Sequence, residues 1–208
     1  MHEINDQEIK NIVQRVVRQS MGQTQNLGQT QNLGQTQNFD QNPKPSSDCN
    51  ASNNVVVALG TDHGGVDLKQ TLKTFLGENG YGIIDVGTHT TDSVDYPDIA
   101  LQVAELVASG EACRGIIIDG AGIGSCMAAN KVPGVRAALC YDYATAVNSR
   151  EHNNANVLTL GAGLIGTNLA KQIVHTWLTT AFGGGRHAQR VEKITAIEKR
   201  FSKDGKVA

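Results

Sequence analysis

The sequence predicts an α/β protein: a doubly wound, five-stranded parallel sheet of Rossmann-like type, preceded by an amphipathic helix and a disordered linker. Three observations carry this reading. Between residues 55 and 201, short apolar runs alternate with helical patterns five times. The runs are apolar on both faces, as strands covered by helices on each side are. The first 54 residues share neither feature.

Taken in order, residues 1–20 form one amphipathic unit. Asn5 and Glu8 have the spacing of a capping box, and Ile4 and Ile9 that of a hydrophobic staple. Ile9, Ile12, Val13, Val16 and Val17 make an apolar stripe at helical spacing. Residues 21–54 open with a six-residue repeat, GQTQNL, GQTQNL, GQTQNF, and continue through DQNPKPSSDCNASNN. Such polar residues bury too little apolar surface to offset chain entropy, so this stretch reads as a flexible tether. Residues 55–208 have the size of one ordinary domain.

Within that domain VVVALG (55–60) predicts a strand, followed by a helix over about 66–78 that Asn79-Gly80 ends. GIIDVG (82–87) predicts the second strand, with a helix from about Pro97 to Ser109. RGIIIDG (114–120) leads into a Gly-rich turn and a short helix. VRAALC (135–140) precedes a helix over about 142–151, and NVLTLG (156–161) one over about 166–180. A charged helix over about 187–201 closes the domain.

Composition excludes several classes. Eighteen Lys+Arg stand against 20 Asp+Glu, a formal net charge of -2. That balance gives no electrostatic reason to expect nucleic acid or an anionic membrane as partner. The apolar runs are only a few residues long, where a membrane span needs about 20. With no apolar signal core near the N-terminus, a cytoplasmic protein is expected. Cys49, Cys113, Cys126 and Cys140 show no C-x-x-C or metal-ligand spacing. They read as reduced thiols, with Cys140 a small buried residue.

Ligands of such sheets bind outside the carboxyl ends of the strands. There the turn DGAGIGSC (119–126) carries Gly120, Gly122 and Gly124 in alternate positions. Successive N–H groups at such a turn can point at one anion beside a helix N-terminus. As a dinucleotide fingerprint the match is weak, because the turn follows the third strand and not the first. Asp62-His63 follows the first strand, either facing the ligand crevice or capping a helix. Arg186 and Arg190 are four residues apart around His187, a spacing that suits a phosphate grip or a solvated helix end. REHNNAN (150–156) is dense in hydrogen-bonding side chains.

Together, GTDHGGVDLK, DVGT, SVDYPD, SGEACRGIIIDGAGIG, AANKVPGVRAAL, REHNNANVLTLGA and GGRHAQRVEKI resemble the type B ribose-5-phosphate isomerase and galactose-6-phosphate isomerase family. The resemblance implies aldose–ketose isomerisation of a phosphorylated sugar through an enediolate, with no metal and no cofactor. It also implies a homodimer or tetramer with active sites shared between subunits. It makes Asp62 and His63 sugar and phosphate contacts, and Tyr96 an aromatic lining the pocket. It assigns enediolate stabilisation to the N–H groups of Gly120, Gly122 and Gly124, and ring opening and oxygen binding to His152 and Asn153. Arg186, His187 and Arg190 become the neighbouring subunit's phosphate ligands.

The departures fall at the chemistry. Many members carry a Cys base in a CGTGIG turn, where this chain has Asp119, and others a Glu base six residues on, where it has Ser125. The Thr of that turn is Ala121, and the His that often follows strand four is Tyr141. The Arg of the family's LGAR segment is Gly163. A carboxylate is suited to removing a proton beside a carbonyl, so Asp119 is the expected base. The alternative is a catalytically weak, sugar-phosphate-binding subunit that needs a Cys-bearing partner. Finally, the helix at 1–20 and its tether resemble the encapsulation peptides of bacterial microcompartment cargo enzymes. That resemblance implies docking on a shell or cargo protein by helix-in-groove recognition, and a place inside such a compartment.

Overall fold

The computed structural model of the protein describes residues 55–201; the expected helix at 1–20 and tether at 21–54 lie outside them. In chain order the elements are β1 (Val56–Thr61), α1 (Val66–Glu78), β2 (Gly82–Asp85), α2 (Tyr96–Ala108), β3 (Arg114–Asp119) and α3 (Ile123–Ala129). They continue as β4 (Ala137–Leu139), α4 (Tyr143–Glu151), β5 (Val157–Gly161), α5 (Thr167–Thr179) and α6 (Arg186–Phe201). All strand pairs are parallel, in the order β2-β1-β3-β5-β4. The predicted five-stranded, doubly wound sheet is the observed one.

Alternation along the strands sorts their side chains onto two covered faces. Val57, Leu59, Ile116, Ile118, Leu158 and Leu160 pack with α1 and α5 through Leu68, Leu72, Leu76, Ile173, Val174 and Trp177. Ala58, Ile117 and Val157 face the other way, onto Ala100, Val103, Ala104 and Val107 of α2. β1 and β3 are buried along nearly their whole length. This explains why they read as unbroken apolar runs.

The fourth strand is shorter than VRAALC predicts. Ala137 pairs with Val157, the first residue of β5, so residues before Ala137 have no strand to join. Arg136 is held instead by Asn156, whose Oδ1 accepts its backbone N–H at 2.7 Å. The thiol expectation is corrected at one position. Cys113 is disulfide-bonded, whereas Cys126 and Cys140 are free. Pairing of cysteines far apart in sequence depends on Cα atoms the fold brings together, and leaves no spacing signature. Among the described residues, no helix is long and apolar enough to cross a membrane.

One buried ion pair sits in this frame. Lys69 of α1, 2% exposed, reaches Asp85 Oδ1 at 2.7 Å at the end of β2. Its ammonium also donates to the Thr88 carbonyl at 2.9 Å and to the Gly87 carbonyl at 3.4 Å. Lys73 joins Asp85 Oδ2 at 2.8 Å from a half-exposed position. Burial alone would raise the Asp85 carboxyl, but hydrogen bonds and charge from Lys69 and Lys73 prevail and hold it below the ordinary carboxylate value.

Candidate active site

At the carboxyl end of β1, Asp62 accepts the Gly64 N–H at 2.9 Å and caps a single 3-10 turn, His63–Gly65. Of the two sequence readings of Asp62, the structure shows the cap, placed at the carboxyl end of β1. His63 is exposed, and its Nδ1 accepts the Val94 N–H at 3.3 Å. That bond leaves Nε2 as the donor of the neutral ring. Tyr96 opens α2 and lays its ring against the Gly-rich turn. A Cβ on Gly124 would fall 2.5 Å from Tyr96 Cζ, so no larger residue fits beneath the ring as it stands.

The turn after β3 is built to aim N–H groups. Its carbonyls are each held from outside: Asp119 O by Ala162 N at 2.8 Å, and Gly120 O by Gly163 N at 3.0 Å. Ala121 O accepts from the Tyr141 hydroxyl at 2.7 Å, and Gly122 O from Thr159 Oγ1 at 2.9 Å. Gly122 itself adopts φ 77°, the left-handed region that favours glycine. With the peptide planes fixed this way, the N–H groups converge on the opposite side, as in an anion-binding nest.

The occupant of that nest is Asp119. Its Oδ1 accepts from Ala121 N at 2.8 Å and from Gly122 N, and its Oδ2 from Ser125 N at 3.1 Å. The Ser125 hydroxyl donates to the same Oδ2 at 2.5 Å. The sequence assigns the Gly122 N–H to a substrate oxygen, yet the structure gives it to the chain's own carboxylate. In the first turn of α3, the Ile123 and Gly124 N–H groups have no intrahelical partner by geometry. Cys126, the other side chain in this turn that offers a proton acceptor, points away. Its thiol donates to Ala137 O at 3.5 Å, and burial pushes its pKa up.

The remaining expected residues lie elsewhere. Helix α4 starts at the carboxyl end of β4 and runs back against the strands, so His152 and Asn153 emerge at the opposite, amino-terminal rim. Five residues of strand place the two rims about 16 Å apart. Asn148 Nδ2 donates to His152 Nδ1 at 2.8 Å, and Asn153 Nδ2 donates to Asn148 O at 3.3 Å. The His152 ring stacks on His187, centroids 4.2 Å apart and planes within 5°. Hence His187, with Arg186 and Arg190 exposed beside it at the start of α6, belongs to this second group. Desolvation first, then His152 and the guanidinium groups of Arg186 and Arg190, lower the His187 pKa against an opposing pull from Glu151.

Each chain therefore brings together Asp62, His63, Tyr96, Asp119 and the glycine turn at one rim, and His152, Asn153, Arg186, His187 and Arg190 at the other. Sequence reasoning met Tyr141 only as a departure from the family's His and Arg150 only within REHNNAN, and it missed that Tyr141 and Thr159 hold the turn's carbonyls. The Arg150 side chain is fully buried and ties the His152–Asn153 loop through Ala155 O at 2.6 Å and Asn154 Oδ1 at 2.9 Å. Thr159 alone left a signal: a hydroxyl within the apolar run NVLTLG.

Comparison with known proteins identifies the family. The family model Ribose/Galactose Isomerase matches residues 57–194. Ribose-5-phosphate isomerase B of Escherichia coli (strain K12) is 49% identical over 144 residues, 69% of this chain and 97% of the relative. D-erythrulose-4-phosphate isomerase of Pectobacterium atrosepticum is 43% identical over 143 residues, 68% of this chain and 94% of that one. The solved ribose-5-phosphate isomerase B of Clostridium thermocellum superposes with a TM-score of 0.70 at 55% identity, covering 71% of this chain and 100% of its own. From its matched domain, its sheet and its relatives, the chain belongs to the ribose/galactose isomerase family.

Proposed function

We propose that the chain interconverts the aldose and ketose forms of a sugar phosphate, ribose 5-phosphate and ribulose 5-phosphate or a related pair, in a site built by two copies. The observation that carries this reading is the division of the expected residues between opposite rims of one sheet. A single chain cannot close such a site, whereas a second copy can set its His152–Arg190 rim against the Asp62–Asp119 rim. Helix α6, amphipathic with no buried residue and with Ile194, Ile197 and Phe201 exposed, supplies apolar surface for that association. A homodimer, or a tetramer of two such dimers, follows.

In this mechanism Arg186 and Arg190 of one copy take the phosphate, with His63 of the other. His152, held by Asn148, opens the sugar ring, and Asn153 binds a sugar oxygen. Asp119 removes the proton from C2; the C2–H electron pair forms the C1=C2 bond, and the carbonyl pair moves onto the C1 oxygen. N–H groups of the turn stabilise that oxygen as it gains charge. The C2 hydroxyl proton then passes to the C1 oxygen, its O–H pair forms the C2 carbonyl, the C1=C2 pair takes the proton held by Asp119 at C1, and the ketose results. The second reading, a weak subunit needing a Cys-bearing partner, is favoured by one observation: four donors, the Gly122 N–H among them, already hold the Asp119 carboxylate.

Mixing inactive variants tests the shared site. Asp119→Asn and His152→Ala proteins are each expected to be inactive on ribose 5-phosphate, and to regain measurable turnover once their subunits exchange. No recovery after demonstrated exchange means each site is built within one chain. Replacing Arg186 or Arg190 by Ala is expected to weaken phosphorylated substrates by about 1.5–3 kcal/mol, the worth of a hydrogen bond to a charged group. Affinity for unphosphorylated ribose should stay unchanged; equal losses would assign these arginines to folding or assembly.

Residues 1–20 complete the proposal: the stripe Ile9, Ile12, Val13, Val16 and Val17 docks the enzyme as cargo on a microcompartment shell or cargo protein. Deleting residues 1–20 is expected to leave isomerase turnover intact and to abolish co-assembly with shell proteins, read by co-sedimentation. Co-assembly of the truncated enzyme rejects this role.

A further inference from the structure

We propose that Asp119 is the nest's own anion, that an oxygen of the sugar must displace it before catalysis, and that Ser125 is the positioning residue setting how firmly it is held. This rests on the isomerase reading above. Three features lead here. First, both carboxylate oxygens are engaged, by Ala121 N and Gly122 N on one side and by Ser125 N and Ser125 Oγ on the other. A base needs an acceptor site turned toward its proton, so Asp119 cannot serve while all of these contacts stand.

Second, the nest is rigid. Four carbonyls are pinned by Ala162, Gly163, Tyr141 and Thr159, so its N–H groups cannot turn to follow a second ligand. The developing enediolate oxygen and the Asp119 carboxylate compete for the Gly122 N–H, and two anions beside one donor repel each other. Rotation of the Asp119 side chain resolves both difficulties at once: the sugar oxygen gains the donors, and the carboxylate is freed toward C2.

Third, Ser125 is completely buried, so its hydroxyl serves Asp119 and cannot reach a sugar. Its short, charge-assisted bond stabilises the docked carboxylate alone. Removing it therefore favours the ligand, the reverse of what the loss of an ordinary active-site contact does.

The full-length Ser125→Ala protein is tested by calorimetry with two probes: a phosphorylated hydroxamate that mimics the enediolate, and inorganic phosphate. The hydroxamate is expected to bind about tenfold tighter than to the unaltered protein, and phosphate equally well. Hydroxamate affinity that is unchanged or weaker overturns the proposal, as does an equal change for both probes, which a structural role would give. Turnover of Asp119→Asn separates this from the choice of base. Full activity there with a tighter Ser125→Ala complex rejects Asp119 as base and keeps the displacement. No activity there with an unchanged Ser125→Ala complex does the reverse.

Discussion

Replacing Asp119 by Asn is expected to lower kcat for ribose 5-phosphate by about 10²–10⁴-fold, the range a positioned general base supplies. The substitution keeps the shape of the side chain, and its remaining oxygen can still accept the Ala121 and Gly122 N–H groups. On the other branch the new NH₂ meets the Ser125 N–H, donor against donor, and only the Ser125 hydroxyl can turn to accept from it. Some loss of thermal stability accompanies the change, and melting curves separate it from the catalytic loss. Steady-state kinetics at saturating substrate give the decisive number. A kcat within a few-fold of the unaltered protein removes Asp119 from the chemistry and leaves it the role of an internal cap on α3.

Lys69→Met is expected to destabilise the fold by about 1–3 kcal/mol, the cost of leaving buried hydrogen-bond partners unmatched, since Lys73 still pairs with Asp85. The change strips a donor from Asp85 and leaves the Thr88 and Gly87 carbonyls without the ammonium that joins them. It also frees the loop that runs on to Val94 and Tyr96, so activity should fall together with stability. Urea unfolding at two pH values adds a sign. The folded Asp85 carboxyl titrates below its unfolded value because Lys69 and Lys73 outweigh burial. Its contribution is therefore complete above the ordinary carboxylate pKa and disappears as pH falls through the lower, folded one. In Lys69→Met that acid sensitivity should shrink, since Lys73 alone remains. A variant as stable as its parent at pH 7 would show that the pair contributes nothing net.

The sheet was legible because strands covered on both faces have no alternative to apolar runs. Ile116, Ile117 and Ile118 face two different cores and are all buried. The glycine turn was legible too, since alternate glycines after a strand have few other uses. What lay beyond the sequence was orientation. Nothing in DGAGIGSC says that the Asp119 carboxylate folds back onto its own turn, because that depends on where Tyr141 and Thr159, 19 and 37 residues beyond Gly122, hold the peptide planes. Likewise EHN looked like part of one pocket until the direction of α4 put it at the far rim. The Lys69–Asp85 pair was silent because each residue, read locally, belongs to an ordinary solvated face.

The outermost strands of the sheet are brief: β2 has four residues and β4 three. A long outer strand offers unpaired N–H and C=O groups to any neighbouring chain, and open-ended stacking follows. Here the ladder that another molecule might extend runs out after one or two bonds. Arg136 turns its backbone aside to Asn156 just before β4 begins. Edges this short steer any contact between copies away from the sheet and onto helical surfaces, where contact can close into a finite assembly. For a protein proposed to work only when copies meet, and to work while crowded among them, the brevity of two strands separates assembly from aggregation.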